Sequence, residues 1–306
     1  MKTLKNWILL SRLPFLSVVI LPYILGAAFA RYSTGRFSLI IFWLGLAGAI
    51  LIQLATHYSG EINDIKEDCL SINLEKNIFS GGSQVLVKSI ILPGKVKALV
   101  GFAVFLALAI GAGLQFYFRT GPWTLFLGLS GLWCGIFYAQ PPLRWVSRGT
   151  GEIFIAYAFG WLAVNTGFYL QAGHFNFLAT LISVPVACAV VNIILINEYP
   201  DYPADILAGK RNLLVRIGKS KAAQIYTWLA AGNLAVFCLT LKSGFPIVSG
   251  VFYLPVAILA LILAGRMLAQ DYQDREKLEK MCGLTILVSW GTSLSYILGL
   301  LVKKIW

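Results

Sequence analysis

The chain has 306 residues, 58% of them hydrophobic and only 12% charged, with a formal net charge of +12. So little charge excludes an ordinary soluble globular protein and a disordered one. The Lys and Arg excess lacks the basic–aromatic runs of a nucleic-acid surface, which leaves it to be read as a topology signal.

Crossing a bilayer as helix takes roughly 20 apolar residues. Nine stretches approach that length: 13–31, 38–58, 98–117, 123–139, 151–170, 176–196, 222–242, 250–269 and 282–302. The fourth is the shortest. Lys2 and Lys5 ahead of the first run, with Ala28-Phe29-Ala30 near its end, imitate a signal peptide. Arg12 and Pro14 interrupt that run early, and its length favours a retained first span. Counted over alternate connections, 19 of the 25 Lys and Arg fall on one side and six on the other. The positive-inside rule then places the N-terminus in the cytoplasm and, after nine spans, the C-terminus outside. The expected fold is an all-α membrane protein, one domain over 1–306, embedded in the cell membrane. The five cysteines are scattered without metal or redox spacing and read as packing residues.

Acidic residues number only 13, and seven of them fall in two short windows, GEINDIKED and NEYPDYPAD. Glu61, Asp64 and Asp68 repeat the spacing of Glu198, Asp201 and Asp205, acid-x-x-acid-x-x-x-acid. On a helix each trio would share one face. Both windows lie at the expected cytoplasmic ends of spans, the second and the sixth, and open the connections 59–97 and 197–221. Carboxylates are costly beside a bilayer, so two matched trios call for hard cations, Mg²⁺ above all. A basic or glycine-bearing stretch follows each trio: Lys76 through Gln84 after the first, Gly209-Lys210-Arg211-Asn212 after the second. Lys210, Arg211 and Lys76 would offer positive charge, and Gly81, Gly82 and Ser83 backbone and hydroxyl donors, to phosphate. A diphosphate head on a long apolar tail suits a central cavity open to the cytoplasm, with the tail in the bundle or lipid. Metal would neutralise the diphosphate as an allylic C–O bond breaks, and a dry cavity would protect the cation formed.

These residues resemble the UbiA-type intramembrane prenyltransferases, whose two aspartate-rich motifs match the two windows. SRLPFLSVVILPYILGAA, QLATHYSGEINDIKED, IFSGGSQVL, FYAQPPLRWVSRGTGE and INEYPDYPADILAGKRNLLVRIG carry the likeness. GFYLQAG and AGKRNLLVRIG are most similar to the 1,4-dihydroxy-2-naphthoate polyprenyltransferase branch of menaquinone synthesis. The first motif departs from the pattern: Gly60 stands where the family has Asn, and Glu61 where it has Asp.

The resemblance implies Mg²⁺-dependent transfer of a polyprenyl group from its diphosphate to an aromatic acceptor. Asp64, Asp68, Asp201 and Asp205 would carry the metals, with Glu61, Glu198 and Asn197 in support. Lys210 and Arg211 would bind diphosphate, as would Ser83. Tyr138 and Arg144 would lie near the reacting end of the prenyl chain, and Arg12 would steer an acidic acceptor. Other acceptors (4-hydroxybenzoate, homogentisate, a tetrapyrrole, glycerol phosphate) or a non-catalytic or transport homologue stay open at this point, as does the oligomeric state. His57 reads as a packed, hydrogen-bonded histidine and Glu152 as a favourable charge at a helix start.

Overall fold

The structure is a computed structural model that describes residues 2–71 and 82–305. All regular structure among the described residues is helical. A short α1 (Lys2–Ser11) turns at Arg12 into α2 (Leu13–Thr34); α3 (Leu39–Asn63) and a two-turn α4 (Ile65–Ser71) follow. Next come α5 (Pro93–Ala112), which widens into a π-helical turn (Gly113–Tyr117), and α6 (Thr124–Ala139). Then α7 (Gly151–Ile155) and α8 (Ala163–Ala172) are joined by a π-helical stretch, Ala156–Leu162, into one rod. The long α9 (Phe177–Ala208) and short α10 (Leu213–Ile217) precede α11 (Lys219–Lys242), α12 (Ser249–Leu268) and α13 (Arg275–Ile305).

Eight of these rods are long and apolar enough to cross a bilayer. The expected fourth span, α6, has 16 residues and is the short one. Two expected boundaries move. The sixth span, expected to end near residue 196, runs as helix to Ala208, so its acidic window is helical and not the start of a loop. Pro200 removes a helical donor there, and the carbonyl it frees, Ile196 O, is met by the Cys282 thiol at 3.9 Å. The first window differs in the other direction: α3 stops at Asn63 and the chain bends at Asp64. The Glu61, Asp64 and Asp68 trio therefore lies across a break, not on one helical face. Backbone bonds from Asp64 N to Gly60 O and from Asp68 N to Asp64 O, both 2.9 Å, carry the chain through that bend.

The helices close into a ring in which α2 packs on α3 and α8, α9 on α11 and α13, and α13 back on α2. At the α2–α8 crossing, a Cβ on Gly26 would overlap the Val164 carbonyl, and one on Gly167 would overlap that of Tyr23. Small residues let the two backbones touch, which in lipid replaces the missing hydrophobic drive with dispersion contacts. Hydrogen bonds between helices add to this: Tyr253 Oη to Asn233 Oδ1 at 2.7 Å, and Tyr226 Oη with Thr285 Oγ1 at 2.8 Å. Phe237 stacks on Tyr253 and Tyr296 in the same layer, with centroids 3.7 and 4.2 Å away. Trp290 Nε1 donates to Ser17 Oγ at 2.6 Å where the last rod meets the first long one.

Gly167→Val drives two branches into the Tyr23 carbonyl. It is expected to cost about 3 kcal/mol or more, seen as a lowered Tm in detergent, whereas the same change at Gly101, where nothing lies within 4 Å, leaves Tm close to the parent value.

Candidate active site

The first acidic window is held by two arginines that both have left-handed backbones, Arg12 (φ 47°) and Arg144 (φ 40°). Non-glycine residues rarely adopt that conformation, and here it turns each guanidinium toward the bend at Asp64. Arg12 sits between α1 and α2 and binds Glu61 through Nη2 at 2.6 Å and Nε at 2.8 Å. Glu61 is buried and also accepts from Ser83, through the backbone N–H at 2.9 Å and through a hydroxyl contact to the other oxygen. Arg144, in the loop after α6, reaches Glu67 at 2.6 Å, Asp64 at 3.3 Å and the Asn63 carbonyl at 3.4 Å.

The second window is tied to its own loop. Gly209 ends α9 with a left-handed turn (φ 76°), which swings Lys210 back so that its Nζ lies 3.4 Å from Asp205 Oδ1. Asn212 Nδ2 donates to Asp205 Oδ2 at 2.7 Å while Asn212 Oδ1 caps α10 at Val215 N. Glu198 is buried and accepts from Leu214 N at 3.3 Å. Glu152, also buried, lies beside Glu198 and accepts from Leu213 N at 3.4 Å. The two glutamates thus anchor the loop that carries Lys210.

Both windows face each other. The charge of Lys210 is felt together with Asp205, Asp64 and Asp201, and that of Asp68 together with Asp201. Burial disfavours the Lys210 ammonium, but the three carboxylates outweigh that and raise its pKa. Arg12 and Arg144 are likewise held charged by neighbouring carboxylates against the cost of burial. Asp68 shows the opposite sign. Burial, reinforced by the charge of Glu61 and opposed by that of Arg12, pushes it up to about 7.

Beneath this polar end an apolar, partly open cavity runs among α2, α3, α5, α6 and the α7–α8 rod. Tyr138 and Thr56 line its polar end. Tyr138 also senses the charges of Glu152, Glu198, Lys210 and Asp64, which places its ring where cavity and carboxylates join.

The donor set fits Mg²⁺ and not a metal that needs a complete protein cage. Every candidate ligand is an oxygen, and Asn197 Oδ1 is buried with no hydrogen-bond partner. Among the described residues no three acids already converge into a ready-made metal site. Mg²⁺ is commonly held by one or two carboxylates with water and substrate phosphate completing the shell, and both windows offer that arrangement. Gly82 (φ 61°) packs its backbone against the Asp68 carboxylate so closely that a Cβ would overlap it.

Of the residues singled out in the sequence, Glu61, Asp64, Asp68, Glu198, Asp201, Asp205, Lys210, Arg144, Arg12, Ser83, Asn197 and Tyr138 all lie at this end. Arg211 is exposed, and its carbonyl accepts from Arg216 Nε at 2.8 Å. Lys76 and Gly81 lie outside the described residues. His57 bonds Gln53 Nε2 at 2.6 Å and the Ser11 carbonyl at 3.0 Å, the packed histidine expected. Sequence reading missed two participants, Glu67 and Glu152. Glu67 falls off the repeated spacing but inside the first window, and Glu152 is a buried acid in a chain that has few. Scarcity was the available signal for both.

Without a divalent cation, ionised Asp68 costs stability above about pH 7, and this cost fades as pH falls toward the ordinary carboxylate range. Asp68→Asn is therefore expected to raise Tm by a few degrees near pH 8 without metal, to raise it less near pH 5, and to weaken Mg²⁺-dependent stabilisation. Thermal unfolding with and without Mg²⁺ at the two pH values checks this.

Residues 19–288 match the model of the UbiA prenyltransferase family. The chain is 26% identical to the 1,4-dihydroxy-2-naphthoate octaprenyltransferase of Escherichia coli over 98% of its own length and 96% of that protein's. It is 27% identical to the 2-carboxy-1,4-naphthoquinone phytyltransferase of Synechocystis over 74% of its length and 70% of the relative's. A solved UbiA homologue from Archaeoglobus fulgidus, bound to GPP and Mg²⁺, superposes with a TM-score of 0.66 at 18% identity, covering 95% of this chain and 99% of that one.

Proposed function

The chain belongs to the UbiA prenyltransferase family and is a prenyltransferase, and we propose that it moves a polyprenyl group from its diphosphate onto 1,4-dihydroxy-2-naphthoate, with Mg²⁺, as a step of menaquinone synthesis. The observation that carries this reading is the facing of two carboxylate windows and Lys210 across the mouth of an apolar cavity. Naphthoate-type acceptors in the names of relatives support the choice of ring.

Asp64, Asp68, Asp201 and Asp205 would hold Mg²⁺, with Asn197 able to add its unpartnered oxygen. Bound there, the metal supplies charge neutralisation for the departing pyrophosphate. Lys210 and Arg144, now paired with Asp205 and with Asp64 and Glu67, would turn part of their charge toward the diphosphate. Ser83 is placed by Glu61 to donate beside them, and Arg211 stands at the exposed rim. The Arg12 side chain is 38% exposed, so while it holds Glu61 its outer edge can meet an anionic acceptor.

The prenyl tail lies in the cavity, and apolar walls keep water from the allylic cation. The Tyr138 ring at the junction would stabilise that cation through its π face. The donor's C–O bond breaks with its electron pair leaving on pyrophosphate. The ring carbon that bears the carboxylate supplies the pair for the new C–C bond. Loss of carbon dioxide returns two electrons to the ring and restores aromaticity. No oxidant is required.

The same reading takes α6 as a ninth, short span and sets the acidic end in the cytoplasm of a cell-membrane protein, with the N-terminus inside and the C-terminus outside. The 19-to-6 distribution of Lys and Arg supports this orientation.

Purified protein in lipid nanodiscs with Mg²⁺, geranylgeranyl diphosphate and dihydroxynaphthoate is expected to give the decarboxylated prenyl naphthalenediol by mass spectrometry. Asp64→Ala and Asp201→Ala should each lower kcat/KM about a hundredfold or more with expression retained. Turnover of 4-hydroxybenzoate in place of the naphthoate would overturn the acceptor, and no product with any aromatic ring would overturn the reading.

A further inference from the structure

The far end of the cavity is closed by buried side chains. Tyr23, Leu114 and Leu170 line that end and, with Leu46, form a separate apolar cluster in which each is at most 6% exposed. Tyr23 is pinned in place: its hydroxyl donates to the Phe42 carbonyl at 3.1 Å, and it packs so tightly over Gly45 that a Cβ there would overlap the hydroxyl oxygen. No residue lining the cavity is exposed; Tyr23, Gly45, Leu114 and Leu170 at the far end are buried, Ile110 beside them is half-buried, and so are Thr56 and Tyr138 at the mouth.

Its depth follows from helix geometry. Thr56 at the mouth and Gly45 at the floor are eleven residues apart on α3, which is about 17 Å at the helical rise. Tyr138 and Thr124 are fourteen apart on α6, about 21 Å. An extended chain gains about 3.5 Å per three backbone bonds, so a four-bond isoprene unit spans about 4.5 Å. The cavity thus takes about four units in extended form.

We propose that Tyr23, seated on Gly45 and backed by Leu170, is the floor that sets donor length, and that this enzyme is built for a tail of about four isoprene units. The inference rests on the prenyl-transfer reading above and adds the donor's size class to it. Partway along the wall, Gly128 lines the cavity and a Cβ there meets nothing within 4 Å. A larger side chain at that position would project into free space, shortening the cavity without straining the helices.

The test measures kcat/KM for geranyl, geranylgeranyl and octaprenyl diphosphate with one acceptor. The parent enzyme should prefer geranylgeranyl over octaprenyl diphosphate by about tenfold or more, as expected for surplus carbons with no pocket. Tyr23→Ala and, independently, Leu170→Ala should narrow that ratio about tenfold by opening the floor. Gly128→Leu should act oppositely, cutting the geranylgeranyl value relative to geranyl by a similar factor. Two floor variants guard against one of them failing to fold. Equal use of octaprenyl diphosphate by the parent, or donor ratios unmoved by all three substitutions, would overturn the floor while leaving prenyl transfer intact. Absence of turnover with every donor would instead bring down the transfer reading and the floor with it.

Discussion

A carboxylate beside hydrocarbon survives only if a cation or a set of donors meets it, and the whole polar end of this protein is arranged around that requirement. Arg12 reaches Glu61 from before the first long helix, Arg144 reaches Asp64 and Glu67 from after α6, and Lys210 reaches Asp205 from after α9. Each clamp joins parts of the chain that are distant in sequence, except the last, which folds back on its own helix. The result fixes where α2, α3, α6 and α9 end relative to one another. Two of those helices, α3 and α6, also reach the rim of the apolar cavity through Thr56 and Tyr138, so the clamps bear on the electrostatics and on the shape of the site.

This arrangement also explains how a strongly anionic pair of windows is tolerated within the fold. Under the proposed function, Arg144 and Lys210 would act as temporary counter-ions that a bound diphosphate could share, so charge would be exchanged between partners and not created or buried anew. Glu152 and Glu198 play a different part. Their acceptors hold the backbone of the Lys210 loop through Leu213 and Leu214, which makes the cation's reach a property of the fold and not of a free side chain. Asp68, squeezed between Gly82 and the other acids, carries the unfavourable part of this balance.

Much of this was legible in the amino-acid order. Long apolar runs fixed the helical class, and scarcity of acids made the two windows conspicuous. Their spacing picked out residues that the fold gathers at one end, even though it described only the second window's geometry. The bend at Asp64 was not visible, because the residues around it have no strong breaker; Gly60 lies four positions earlier, inside α3. The continuation of α9 through Pro200 and Pro203 ran against local propensity and depends on tertiary partners such as Cys282. Glu152 looked like an ordinary helix-start charge, since its neighbour Glu198 comes from another rod. Pocket depth was beyond reach for the same reason: it is made by Tyr23, Gly45 and Leu170 meeting across three helices.

The bond between Trp290 and Ser17 has a bearing on how the molecule comes into being. In the folded chain α3 lies beside α2 with Glu61 matched to Arg12, and the wall on the other flank of α2 is supplied by α13. During synthesis the barrel therefore remains an open crescent until the final rod inserts, and the membrane's own acyl chains must line the unfinished side. Biogenesis, in this view, begins with lipid occupying the seam that protein later seals.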